Sequence, residues 1–138
     1  MKFVWEIGAL SILDLESKLP IVASLVNGLA ETNLAFLNRK GLAGFELYKS
    51  SVRYEMMPST WRDIPTCLME GTADCKSLVA WRLAELRLKG EYAAVAHFVV
   101  QRRKNNHAIF HVQVKRASGA IEDPSKRCGM KSSDFGVW

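Results

Sequence analysis

The sequence predicts the α+β class, with helices first and a small antiparallel sheet after them. Three observations carry this. Apolar residues recur at helical spacing from Ile21 to Leu37. The stretch GTADCKSLVAWRLAELRLKG, from Gly71 to Gly90, reads as a helix with a polar start and a glycine stop. Residues 106–116 alternate apolar and polar side chains between two turn signals.

The elements follow in order. Phe3, Trp5 and Ile7 alternate with Lys2, Val4 and Glu6, which predicts a short first strand. Asp14 or Ser17 can cap a long helix whose first turn tolerates Pro20. Ile21, Val22, Leu25, Val26 and Leu29 form its buried stripe, and Leu34 and Leu37 prolong it to Gly41. Residues 42–70 have no clear period; 51–57 reads as a short strand, and Pro58 and Pro65 bracket a loop. In the helix 75–89, Leu78, Val79, Leu83 and Leu86 make a core face, Arg87 and Lys89 suit the C-terminal end, and Gly90 stops it. Residues 92–101 read as a buried strand. In the next strand Ala108, Phe110, Val112 and Val114 share one face, and His107, Ile109, His111 and Gln113 share the other. Ser118-Gly119 is a turn, 120–123 is a third strand, and Pro124 ends it. With no repeat and no low-complexity linker, residues 1–138 read as a single domain.

Composition narrows the function classes. The chain has 138 residues, 49% hydrophobic and 24% charged, enough for one packed core. The most apolar run, Leu19 to Leu37, is interrupted by Asn27, Glu31 and Asn33, so no membrane span is expected. Glu6 and Asp14 break any signal-peptide apolar region, which points to a cytoplasmic product or a particle assembled there. Cys67, Cys75 and Cys128 are odd in number and form no CxxC pair, so no disulfide framework is expected. His97, His107 and His111 lack zinc spacing, and no metal or cofactor is expected. The net charge is +5, but Arg102-Arg103-Lys104 is the only basic run and adjoins the turn signal Asn105-Asn106; a solvated hairpin tip fits it better than a nucleic-acid surface.

Cys75 stands at the start of the second helix. A helix N-terminus favours a thiolate through its open N–H groups and dipole, although the charge of Asp74 opposes that. Taken alone, Cys75 is better read as a small buried residue. Cysteine chemistry also needs an imidazole base and a group to orient it. Downstream lie histidines on one strand and Asp123 on the next. With Gly71-Thr72-Ala73-Asp74-Cys75, the helix behind it, the strand segments HAIF and HVQV, and Asp123-Pro124-Ser125, the chain resembles the transglutaminase-like superfamily of papain-like thiol enzymes over roughly residues 60–130. Ala73 stands where that family usually has another small or glycine-type residue. The longer run DCKSLVAWRLAELRLKG with GAIEDPSKRCGM is similar to small transglutaminase-like proteins of tailed phages and prophages, which implies a virion context.

Helix and strand rise choose between the histidines. The helix carries the chain about 21 Å from Cys75. A strand starting near Tyr92 and rising roughly 3.3 Å per residue returns to that level near Phe98 or Val99. A hairpin tip at Lys104 to Asn106 puts Val99 opposite His111, whereas His107 overshoots by about 13 Å. A second hairpin with its loop at Ala117 to Gly119 puts Asp123 opposite Gln113, diagonal to His111. His111 is therefore the expected base, His107 the second choice, and His97 structural. Asp123 would orient the imidazole, or merely end a strand before Pro124. The amide of Cys75 is an oxyanion donor, with the Trp61 indole as a further candidate that is otherwise core. Trp81 reads as packing, and Arg82 either faces an acidic substrate or crosses the surface.

These residues describe a thiol enzyme acting on peptide or amide bonds through an acyl-enzyme, with water or an amine as acceptor. The alternative is a phage virion structural or assembly protein that keeps the fold as a scaffold. The apolar ends, Met1 to Ile7 and Phe135 to Trp138, suggest self-association or docking on a structural partner.

Overall fold

The computed structural model describes residues 1–4, 12–57, 59–102 and 108–131. Trp5 and Ile7 of the first strand, Pro58, the hairpin tip at 104–106, His107 and the tail 135–138 lie outside the described residues. The chain is mixed α+β. It runs β1 (Lys2–Val4), α1 (Ile12–Lys40), a 3-10 turn at Leu47–Lys49, β2 (Arg53–Tyr54), β3 (Thr60–Arg62), α2 (Ile64–Glu70), β4 (Thr72–Ala73), α3 (Cys75–Leu88), β5 (Val95–Arg102), β6 (Ala108–Lys115), β7 (Ile121–Glu122) and α4 (Pro124–Arg127).

Helix α1 begins earlier than expected. Asp14 and Ser17 lie inside it, and Pro20 sits in its interior instead of its first turn. The Ser24 hydroxyl donates to the Pro20 carbonyl at 3.0 Å. Val22, Val26, Leu29, Ala30 and Leu37 are buried, but Ile21 is exposed, one position off the stripe. By length and composition Leu15–Lys40 could cross a membrane, contrary to the reading from its polar interruptions. Its apolar stripe instead packs on α3, β5 and β6. The interruptions serve that packing. Asn27 and Glu31 accept from the Arg87 guanidinium at 3.2 and 3.3 Å, and Asn33 accepts the Ile64 N–H at 2.9 Å.

Residues 58–65 are not all loop. β3 pairs antiparallel with β1, Phe3 opposite Trp61, and Pro65 belongs to α2, where a missing N–H costs nothing in the first turn. Asp63 caps α2 by accepting from Thr66 N at 3.1 Å. Gly71 closes it at φ 79, a left-handed conformation that a side chain would strain. β4 then pairs parallel with β2 and leads straight into α3.

α3 is the central element, buried on nearly every side. Leu78, Val79, Leu83 and Leu86 are all core, as their spacing predicts. One apolar cluster joins α3 to α1 and the sheet through Val79, Leu83, Val112 and Val114. A second joins it to Leu37, Leu47, Ile64 and Cys128. Trp81 packs in the second cluster, and its indole N–H donates to the Phe45 carbonyl at 2.8 Å. The sheet order is β5-β6-β7, antiparallel throughout. Val99 pairs with His111, as the rise calculation predicts. The β6–β7 register, Val114 with Glu122, sets Asp123 across from Gln113.

Candidate active site

Asp74 caps α3 from an extended conformation, its Oδ1 accepting from Ser77 N at 3.5 Å. Cys75 is therefore the first helical residue, where backbone N–H groups have no partner inside the helix. α3 packs against β6, and Cys75 and Val112 of β6 share one buried cluster. The thiol thus lies against the residue that follows His111.

His111 is fully buried, and its Nε2 lies 2.8 Å from Asp123 Oδ2. An ionised carboxylate only accepts, so the proton is on Nε2 in the neutral ring and Nδ1 is the basic nitrogen. The two oxygens of Asp123 have different partners. Oδ1 caps α4 by accepting from Ser125 N at 3.1 Å and Lys126 N at 3.4 Å. Oδ2 takes His111 and, at 3.2 Å, the Gln113 amide. Burial works against the Asp123 charge, but the His111 hydrogen bond and charge, Gln113 and the Lys126 N–H outweigh it and hold the carboxyl below its ordinary range.

The electrostatics of the thiol run against the expectation from the helix terminus. Burial first, then the charge of Asp74, push the Cys75 thiol up to about 12, with Asp123 adding to the rise; Lys76 and the Val112 N–H oppose it. Cys75 is 4% exposed, so it rests as a protonated, covered thiol at neutral pH. Cys67 and Cys128, also buried, are raised to about 12 and about 11, burial being the largest cause in each.

Trp61 is buried in the same cluster as Cys75 and stacks on Phe3 at 5.3 Å. Its Nε1 has no acceptor among the described residues. Such a donor costs about 1–3 kcal/mol when nothing receives it. Lys76 was missed by the sequence reading. Its ammonium is buried, pairs with Asp74, donates to the Met57 carbonyl at 2.8 Å and lies 5.2 Å from the Trp61 ring centroid. Gln113 was read only as a register partner, although its place two residues after His111 on the same strand face was the available signal. Arg82 is engaged within the protein. It bonds Glu122 at 2.6 Å and Glu85 at 2.8 Å and lies over the Tyr48 ring, so neither earlier reading of it holds. Glu122 also accepts from the Tyr48 hydroxyl and from Arg116 at 3.1 Å. His97 faces Gln113 across the strands. No cluster of metal-binding side chains occurs among the described residues.

Comparison with family models, with curated proteins and with solved structures finds no match for this chain.

Proposed function

We propose that this chain is a thiol enzyme acting on peptide or amide bonds, on a papain-like, transglutaminase-like arrangement, with Cys75 as nucleophile, His111 as base and Asp123 as its orienter. The observation that carries the reading is the His111 Nε2–Asp123 pair at 2.8 Å, on the strand whose next residue, Val112, is buried in one cluster with Cys75. Cys75 attacks the substrate carbonyl as a thiol, and His111 Nδ1 takes the proton while the sulfur–carbon bond forms. The carbonyl oxygen becomes an oxyanion, received by the Cys75 amide and the Trp61 indole N–H. The departing amine takes the proton from His111, leaving an acyl-enzyme. Water then hydrolyses it, or an amine takes the acyl group; in either case the incoming nucleophile's proton passes through His111 back to sulfur. Asp123 stabilises the imidazolium in both halves. No cofactor enters these steps.

The covered thiol favours a second reading. A virion structural or assembly protein could retain the arrangement as a scaffold, and a 4% exposed cysteine raised to about 12 suits such a role. One experiment separates the two. The folded protein is treated with a peptidyl epoxide and, separately, with iodoacetamide at neutral pH, and adducts are located by intact mass and peptide mapping. The enzyme reading expects epoxide capture at Cys75 ahead of Cys67 and Cys128, abolished in Cys75→Ala with the fold retained. Equal, slow reaction of all three thiols overturns the enzyme reading and favours the scaffold.

A further inference from the structure

We propose that Gln113 is a positioning residue for the His111–Asp123 pair. It holds the carboxylate so that His111 keeps its proton on Nε2 and its basic nitrogen at Nδ1. Asp123 has two oxygens, and four donors reach them. Ser125 N and Lys126 N take Oδ1, at 3.1 and 3.4 Å; His111 Nε2 and Gln113 Nε2 take Oδ2, at 2.8 and 3.2 Å. A carboxylate oxygen offers two lone pairs, so Gln113 on one confines His111 to the other. Carboxylate rotation about its terminal torsion is otherwise soft. The two amides on Oδ1 fix one end of the group, and Gln113 fixes the other.

The strand supplies this arrangement. His111 and Gln113 are two apart on β6 and share a face, and Asp123 lies across from Gln113 where β7 gives way to α4. The Gln113 amide presents its nitrogen because Asp123 accepts and cannot donate, which also fixes the amide's orientation. An apolar residue at 113 would leave Oδ2 with His111 as its single side-chain donor. The carboxylate and the imidazole could then turn together, and Nδ1 would lose its fixed direction. The consequence for catalysis rests on the thiol-enzyme reading above; the tautomer of His111 does not.

The test uses the full chain labelled with nitrogen-15, as wild type, Gln113→Leu and Gln113→Glu. The glutamate keeps the side-chain volume and replaces the donor by a second carboxylate, so it decides the matter if the leucine variant folds poorly. Wild type should show a slowly exchanging, downfield His111 Nε2–H, with Nδ1 at a pyridine-type shift. In both variants that proton should be lost to solvent exchange, and the two ring nitrogens should move toward averaged shifts. A merely structural residue would change the melting temperature without moving the imidazole signature. Peptidyl-epoxide capture at Cys75 should slow on the order of 10²-fold, the usual effect of misplacing a catalytic group by about 1 Å. A wild-type imidazole signature in folded variants overturns the proposal. If wild type itself shows no capture at Cys75, the enzyme reading falls, and the imidazole spectra still decide the role of Gln113.

Discussion

Raising the pH from 7.0 to 9.5 should destabilise this protein steeply, and Cys75 should carry a third of the loss through its thiol. All three cysteines are buried and raised to about 11 or 12 in the folded chain. In the unfolded chain a thiol titrates near ~8.5. A group whose folded value is raised contributes stability that is complete below the unfolded value and is lost as pH climbs toward the folded one. At pH 9.5 the unfolded thiol is about ten parts ionised to one part not, which favours unfolding by about 1.4 kcal/mol. The result barely depends on the folded value once it exceeds about 10.5. Three thiols together give about 4 kcal/mol, a large part of the 5–15 kcal/mol typical of a domain. The assay is urea unfolding under reducing conditions at both pH values, for wild type and Cys75→Ala. The cavity left by alanine acts at both pH values and cancels in the difference. The pH-dependent loss should be smaller in Cys75→Ala by about 1.4 kcal/mol. An identical loss in the two proteins would refute a Cys75 proton held in the folded chain above the range of an unfolded thiol.

Two further outcomes follow from the packing. Lys76→Met leaves the buried Asp74 carboxylate without its cation and should cost about 3–5 kcal/mol in urea unfolding, whereas adding Asp74→Asn should recover much of it; simple additivity of the two changes would show that the pair does not interact. Gly129→Ala should lower stability by roughly 1–2 kcal/mol, because a side chain strains a left-handed backbone. At Gly129 φ is 103, and the Arg53 guanidinium occupies the space a Cβ would need. An unchanged melting temperature would count against that strain.

The parts of the fold legible in the sequence are those set by local period. Strand alternation and helix rise were sufficient for Val99 opposite His111 and for Asp123 near it, because few residues separate the paired strands in the sequence. The glycine stop likewise marks the end of α3, whereas the Asp74 cap emerges from the structure. The three-residue pairing of β1 with β3 was not legible, since it joins segments nearly sixty positions apart and leaves no periodic trace. Ile21 was misassigned because helical spacing leaves the stripe's edge open by one residue. The state of Cys75 was the larger miss. A helix terminus stabilises a thiolate only where the charge is solvated or paired, and burial, which depends on the whole tertiary structure, reversed the sign.

Glu122 and Asp123 are neighbours with opposite allegiances. The first joins Tyr48, Arg82 and Arg116, and the second joins His111 and Gln113. β7 is only two residues long, so its own ladder fixes register weakly. Inserting one residue in the turn at 117–120 would shift this reading frame and bring Glu122 to the imidazole and Ile121 to the guanidinium groups; deleting one would bring Asp123 to the guanidinium groups and Pro124 to the imidazole. The turn is exposed and would ordinarily tolerate length changes; here its length sets which residue stands across from Gln113, one position beyond the strand.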